Sequence, residues 1–336
     1  MPSAQFQCRP LSAQVATLTA TAEASTPASE DAADEDKLPV EDLELLYHFL
    51  FEAVQSLPLE GERLHQMRHT YGVELGFQKH YLLHLILALS ALHLFSTNHA
   101  RTELISRAHA HQNAAIKLVN PVISNMTQED CPVLFVFSGL MSIYCFADLV
   151  LRPFHVGNLG NALDEFIACI QLSRGVKSFI SPYWPYLLTT WAAGALRSVN
   201  VDPSSSAREE LRPHLEKLLE MCEASVHDDT EKDICKDTAE TACLYIAQVK
   251  NSSERGHNAR VMATPFVEMK IEFTTMLQRR DSVALVILAY QVILMHLCPD
   301  AWWVEGLAGP LLRHIEGLVK PEMKPLLAWP RQIVSQ

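Results

Sequence analysis

The sequence predicts an all-α fold in which several helices form a buried apolar core. Three segments, residues 82–95, 133–147 and 283–298, are apolar on nearly every helical face. A surface helix has one apolar stripe and a polar face, so these three helices are expected inside the core. Other segments have helical apolar spacing and residues typical of helix ends. Because no run of alternating strand residues occurs, a sheet is not expected.

The composition divides the chain into two parts. Residues 1–38 are rich in Ala, Ser, Thr and Pro and include the acidic stretch EDAADEDK. Such a segment has too few large apolar groups to offset the entropy of ordering, which predicts a disordered, acidic, linker-like tail. Residues 39–336 are dense in Leu, Ala and Ile and are predicted to form one helical domain.

The segment NALDEFIACIQLSRGV is predicted to be an amphipathic helix with readable ends. Asn161 is suited to accept a backbone N–H at the start, and two acidic residues follow it in the first turn. Gly175 can adopt the left-handed conformation that ends many helices. We therefore expect a helix that begins after Asn161 and ends near Gly175.

Two further helix starts are predicted in the second half of the chain. Ser206 and Glu209 have the spacing of a capping box, although Pro213 is an alternative marker of the first turn. Thr264 precedes Pro265, and proline is common at the first position of a helix. Both segments continue with apolar residues at helical spacing.

The charge balance argues against direct contact with nucleic acid. The formal net charge is −12, whereas nucleic-acid affinity comes largely from Lys and Arg side chains that neutralise phosphates. Only Arg279 and Arg280 are adjacent basic residues, so the basic run of a nuclear address is also missing from this sequence. We predict no direct, specific DNA binding by this chain.

The cysteines are expected to be buried thiols, because they lack the close pairing of a disulfide or zinc framework. Most lie inside apolar helical patterns, and C-x-x-C pairs do not occur. No apolar export leader opens the sequence, so we expect a reducing, intracellular compartment. The eight cysteines are Cys8, Cys131, Cys145, Cys169, Cys222, Cys235, Cys243 and Cys298.

The histidines and acidic residues do not form a recognisable catalytic or metal motif. Two pairs, His65 with His69 and His80 with His84, have i, i+4 spacing, but both lack the Glu of an H-E-x-x-H zinc site. We expect His84 and His93 to be partly buried residues whose ring nitrogens are hydrogen bonded. The acidic stretch DDTEKD, residues 228–233, is interpreted as a solvated loop rather than a magnesium site. We therefore predict no catalytic residue, metal or cofactor.

Four segments together resemble a known family. HYLLHLILALSALHLF, LFVFSGLMSIYCFA, ALDEFIACIQLSRGVKSFI and WWVEGLAGPLLRHIEGLV with the later LLAWPRQI occur in this order. In order and spacing they resemble the regulatory domain of fungal zinc-cluster transcription factors of the sterol uptake control type. The resemblance covers the chain from about Pro39 onward. It implies an all-helical regulatory domain, often self-associating, that in some members binds an apolar ligand such as a sterol.

The sequence departs from that family in one respect. The family's DNA-binding half holds two zinc ions with six closely spaced cysteines, and this chain has no such cluster. The DNA-binding half is therefore either lost or encoded outside this sequence. The resemblance implies a nuclear location, and the cytoplasm is the alternative because no basic nuclear address is visible.

An apolar ligand is expected to contact aromatic and methionine side chains. Residues with a flexible thioether or a polar tip suit a ligand that carries one hydroxyl, and the alternative is ordinary core packing. The candidate residues are Phe137, Met141, Tyr144, Phe146, Trp302 and Trp303.

The resemblance implies a non-enzymatic regulator or co-regulator of transcription, of a secondary-metabolite or a sterol and lipid pathway. Its expected partners are a second copy of the chain or another transcription factor, and a sterol-like or lipophilic ligand. No membrane span is expected, because each apolar run is shorter than the roughly 20 residues required. The alternatives are a helical enzyme with an apolar pocket for a lipid or terpenoid-like substrate, and an inactive remnant with a folded core.

Overall fold

The computed structural model describes residues 39–57, 74–155, 162–193, 201–250, 252 and 255–335. The predicted tail, residues 1–38, lies outside this range. Within it all regular secondary structure is helical, which confirms the all-α prediction. The α-helices are α1 Val40–Phe51, α2 Leu75–Gln78, α3 His80–Thr97, α4 Glu103–Ser124, α5 Cys131–His155, α6 Ala162–Ile180, α7 Trp184–Leu187, α8 Ser205–Ser225, α9 Asp229–Lys250, α10 Arg255–Glu268, α11 Ile271–Gln278, α12 Ser282–His296, α13 Ala308–Leu318 and α14 Ala328–Val334.

The first layer of helices is built around α3. Helices α1, α2, α4 and α5 all pack against it. Most of its side chains are buried, as its uniformly apolar sequence predicts. Ser90 is a fully buried polar residue of α3, and its Oγ donates a hydrogen bond to the carbonyl oxygen of Leu45 in α1 at 2.6 Å. This bond satisfies the hydroxyl and ties α1 to the centre of the layer.

The second layer surrounds α12. Every residue from Ser282 to Met295 is buried, and helices α8, α9, α10, α11, α13 and α14 pack against α12. Asp281 caps the helix, because its Oδ1 accepts hydrogen bonds from the backbone N–H groups of Val283 and Ala284 at 3.0 and 3.2 Å. The apolar run that predicted a core helix therefore occupies the middle of this layer.

Helix α6 joins the two layers. It packs against α5 in the first layer and against α10, α11 and α13 in the second. At its N-terminal end Asp164 forms an ion pair with Arg280, which follows α11. The buried apolar residues of both layers belong to one continuous core.

The structure corrects the predicted end of α6. The helix continues through Gly175 to Ile180, so the predicted stop is wrong. Ile180 is buried against Cys131, Leu187 and Ala192 in a small cluster beyond the main core. This apolar contact provides a reason for the helix to extend past the glycine. The proposed cap, Asn161, lies outside the described residues.

Two predicted helix starts are also wrong. The cap of α8 is Ser204, whose Oγ accepts the N–H of Ala207 at 3.3 Å, and Pro213 lies in the helix interior. Thr264 and Pro265 lie inside α10 rather than at its start. The Thr264 hydroxyl donates to the carbonyl oxygen of Arg260 at 2.7 Å, a bond within the helix.

Residues 229–233 of the acidic stretch are helical rather than a loop, and Asp228 immediately precedes the helix. Asp228 Oδ1 accepts a hydrogen bond from the N–H of Glu231 at 2.9 Å, and α9 begins at the next residue, Asp229. Carboxylates are favourable here because the N-terminal end of a helix carries partial positive charge. Most of these side chains are exposed, as predicted.

Two described segments are long and apolar enough to cross a membrane by length and composition alone. They are His80–Thr97, which is α3, and Gln128–Pro153, which includes most of α5. In this structure 61% and 56% of the two segments is buried against other helices. Core helices of proteins without a membrane span meet the same criterion, so the absence of a span stays a prediction.

Candidate functional site

The candidate ligand residues of α5 lie on two opposite faces of the helix. Phe137, Met141 and Tyr144 have i, i+4, i+7 spacing and share one face, whereas Phe146 is rotated about 200° from Tyr144. The ring of Phe137 meets the ring of Tyr81 in α3 edge to face, with centroids 5.4 Å apart. A single ligand site at one helix interface therefore does not contain all four α5 residues.

Phe146 belongs to an aromatic cluster on the other face of α5. Its ring centroid lies 5.7 Å from that of Phe166 in α6 and 6.3 Å from that of Trp303. Phe166 in turn meets Phe266 of α10 edge to face at 5.5 Å. This cluster joins the two layers, and the indole N–H of Trp303 is buried in it without a described hydrogen-bond partner.

Trp302 lies apart from Trp303 despite being its neighbour in sequence. Its ring meets the ring of His93 edge to face, with centroids 4.9 Å apart. The indole N–H donates a hydrogen bond to the hydroxyl of Ser56 at 2.9 Å. The two tryptophans were predicted to cover one site, but they contact different neighbours in the structure.

We define the α3–α5 strip as Tyr81, Phe137, Met141 and Tyr144. All four residues are buried, and each phenol hydroxyl lacks a hydrogen-bond partner among the described residues. A buried, unsatisfied polar group costs about 1–3 kcal/mol, so two such groups in one strip require an explanation. The spacing from Phe137 to Tyr144 along α5 corresponds to about 10 Å.

Burial keeps both hydroxyls of the strip protonated. It raises the pKa of Tyr81 to about 12, with a further contribution from the charge of Asp130. It also raises the pKa of Tyr144 well above the ordinary value of 10.0, and the charge of Asp148 adds to this effect. Both groups are therefore available as hydrogen-bond donors at neutral pH.

A network of charged residues lies one helical turn beyond Tyr144 in α5. The carboxylate of Asp148 lies 2.8 Å from Nε2 of His109, and it accepts a hydrogen bond from Arg152 at 3.0 Å. Arg152 also pairs with Glu165 of α6. Burial raises the pKa of Asp148, but the hydrogen bonds and charges of His109 and Arg152 outweigh it and lower the pKa overall. Asp148 is thus an ionised carboxylate close to Tyr144.

Two histidine pairs connect α3 to its neighbours. His48 Nε2 of α1 lies 2.8 Å from His93 Nδ1, and His84 Nδ1 lies 2.9 Å from His111 Nδ1 of α4. The expectation that His84 and His93 are hydrogen bonded is confirmed. Nε2 of His111 contacts Asp42 of α1 at 3.1 Å, which extends this pair into a network.

Burial lowers the pKa of three histidines in these pairs, His48, His84 and His93. The pKa of His93 falls to about 4 because of burial, with an added effect from the charge of His48. Burial likewise lowers the pKa of His48 and of His84. His48, His84 and His93 are consequently neutral at neutral pH. His65 and His69, singled out by their spacing, lie outside the described residues, and His80 is exposed.

Comparisons with known proteins do not identify the chain. No family model matches it. No curated protein matches it either. The resemblance to the regulatory domains of fungal zinc-cluster transcription factors therefore stays a prediction that rests on the sequence segments quoted above.

Proposed function

We propose that this chain is a non-enzymatic regulatory domain that acts on transcription in response to an elongated apolar ligand carrying a hydroxyl or carbonyl oxygen. The ligand binds along the α3–α5 strip. The sequence resemblance supports the regulatory role, and the strip supports the ligand class. Action on promoters goes through a protein partner, because the chain lacks a zinc cluster and carries a net charge of −12.

The hydroxyl of Tyr144 is the observation that carries the ligand proposal. It is a neutral donor that is buried without a described acceptor. A ligand oxygen would accept a hydrogen bond from this hydroxyl and remove the desolvation cost. Met141 provides an adaptable wall between the two tyrosines, since its unbranched thioether follows irregular ligand shapes. Tyr81, at the far end of the strip, offers a second donor.

Thermal unfolding in the presence of a panel of sterols and other lipophilic molecules tests this proposal. A ligand that binds only the native state at about 100 times its dissociation constant adds about 2.7 kcal/mol of stability. The variant Tyr144→Phe should lose about 1 kcal/mol of that stabilisation, the contribution of one hydrogen bond, while its ligand-free form stays folded. No saturable shift with any panel member would refute the ligand, as would an equal shift in Tyr144→Phe.

Tyr290→Phe is the matched control for Tyr144→Phe. Tyr290 is also buried, but its hydroxyl donates to the carbonyl oxygen of Leu326 at 3.3 Å in the second layer. Its removal should lower the stability of the ligand-free domain and leave the ligand-induced shift unchanged. The two variants therefore separate ligand contact from general packing.

The action on transcription needs a separate test. The chain is fused to an unrelated DNA-binding domain, and a reporter gene is measured with and without the ligand found by the thermal panel. A change in reporter output that Tyr144→Phe abolishes supports a ligand-dependent regulator. Unchanged output in a host that supplies the partner, or sequence-selective DNA binding by the purified chain alone, would contradict the proposal.

A helical enzyme acting on a lipid or terpenoid-like substrate is the second candidate. The ionised Asp148, held by His109 one turn beyond Tyr144, is the specific observation in its favour. Under this alternative the bound molecule is recovered chemically changed, and Asp148→Asn stops the conversion but not the binding. Recovery of unchanged ligand after prolonged incubation, analysed by mass spectrometry, favours the regulator.

A further inference from the structure

Helix α1 has a second apolar face on the side that points away from the core. Leu45 and Phe49 are fully buried against the first layer, whereas Tyr47, about 200° around the helix from Leu45, is 64% exposed. We define the outer α1 stripe as four apolar residues at i, i+3, i+7 and i+11, each more than half exposed: Val40, Leu43, Tyr47 and Phe51. The rings of the last two contact each other, with centroids 4.6 Å apart. A surface helix of a monomer has one apolar face, so the second face of α1 requires an explanation.

We propose that the outer α1 stripe binds the same stripe of a second copy of the chain in an antiparallel, twofold-symmetric dimer. Centred on the middle of the stripe, this arrangement places Tyr47 of one copy opposite Leu43 of the other, and Phe51 opposite Val40. Each contact then joins an aromatic ring to a smaller aliphatic side chain. A twofold interface must be complementary to itself, and the order of large and small residues along α1 meets this condition.

The two sides of the stripe favour an antiparallel pair over a parallel one. One side carries Leu46 and Leu50, which are apolar and partly buried, and the other side carries Glu41 and Glu44. A twofold axis perpendicular to the helices brings like sides together, so that leucines meet leucines along one edge. A parallel pair would instead place the leucines of each copy against the carboxylates of the other.

The charges beside the stripe are compatible with a second copy. Glu44 accepts two hydrogen bonds from Arg101 at 2.7 and 3.1 Å, and Arg107 lies 3.6 Å from Glu41. Both carboxylates are therefore paired within the chain before a second copy approaches. An apolar centre with a charged rim is typical of protein interfaces. A membrane surface fits less well, because helices that lie in the lipid interface typically carry Lys and Arg on their polar face.

The area of the stripe fits a small, reversible dimer. An aromatic side chain carries about 150–250 Å², so four residues that are each more than half exposed retain roughly 400 Å² of apolar surface. Two copies would bury roughly 800 Å² of stripe surface, and interfaces with a total below about 1,200 Å² are typical of weak, transient complexes. We therefore expect a dimer with a dissociation constant in the micromolar range.

Sedimentation of the full, ligand-free chain from nanomolar to hundred-micromolar concentration tests the dimer. Tyr47→Glu and Leu43→Lys each place a charge in the centre of the interface and should each weaken association at least about tenfold. An equimolar mixture of the two variants should dimerise again. In the mixed dimer the introduced lysine faces the introduced glutamate across one contact, while the other contact keeps its original residues.

Ile271→Glu is the matched control, because Ile271 is 61% exposed at the start of α11 and lies outside the stripe. It should dimerise as the unaltered chain does. Circular dichroism should show that all variants are folded, since each changes an exposed side chain. If a variant of the first pair unfolds, the pair Val40→Lys and Phe51→Glu repeats the test at the end of the stripe.

Three results would overturn the proposal: a monomer at every concentration, a dimer that the charged stripe variants leave intact, or no recovery when the paired variants are mixed. Binding of a monomeric chain to phosphatidylcholine vesicles that Tyr47→Glu abolishes would assign the stripe to a membrane instead. The dimer is measured without ligand, so this proposal and the proposed ligand site fail independently.

Discussion

Removing the hydroxyl of Tyr144 is expected to stabilise the ligand-free protein. In Tyr144→Phe the ring remains, so no cavity forms, and only a buried hydroxyl without a described partner is lost. Such a hydroxyl costs about 1–3 kcal/mol of desolvation. The free energy of unfolding should rise by about 1 kcal/mol, which corresponds to an increase of about 1.5–2 °C in Tm for a domain of about 300 residues.

The variant Tyr290→Phe provides the comparison, because its stability should change in the opposite direction. Tyr290→Phe loses the hydrogen bond to the Leu326 carbonyl oxygen, so this variant should lose about 1 kcal/mol of stability. Urea unfolding followed by circular dichroism at pH 7, where both phenols are neutral, measures the two changes side by side. If Tyr144→Phe is destabilised as much as Tyr290→Phe, the Tyr144 hydroxyl already has a partner and the argument for the ligand fails.

Three further predictions concern the framework around the strip. The pKa of His93 in the folded protein is about 4, below its ordinary value of 6.5, so its stabilising contribution is complete above pH 6.5 and is lost as the pH falls toward 4. Unfolding measured across this range should show a loss of at most about 3 kcal/mol from this group, and His93→Phe should reduce the slope. Ser90→Ala removes the bond to Leu45 and should cost about 1 kcal/mol in urea unfolding; no loss would show that this bond does not hold α1. Asp281→Ala removes the α12 cap and should cost about 1 kcal/mol, whereas an unchanged unfolding midpoint would contradict the cap's role.

The core helices could be predicted because a helix that is buried on all sides has apolar residues on nearly every face. The start of α12 was predicted within one residue, and α3 extends only two residues beyond each predicted end. The end of α5 was missed by eight residues, since its last turns are less uniformly apolar. Caps were harder, because Ser204 and Ser206 are equally good acceptors in sequence and only the folded backbone selects one of them.

The candidate site was harder to predict than the fold. The partners of His84 and His93 are His111 in α4 and His48 in α1, and no local spacing relates residues on different helices. The placement of Tyr144 and Phe146 on opposite faces of α5 could be predicted, because residues two positions apart lie on opposite faces of a helix. That part of the arrangement was accessible from helical periodicity alone.

The enclosure of α12 has a consequence for synthesis of the protein on the ribosome. Helices α8 to α11 emerge before α12, and their apolar faces pack against a helix that has not yet been made. Until residue 296 has left the exit tunnel, these faces are open to chaperones or to neighbouring nascent chains. Once released, α12 is itself uniformly apolar and must be captured quickly. The second layer is therefore expected to fold in one late step, and the cellular yield should depend on chaperone supply.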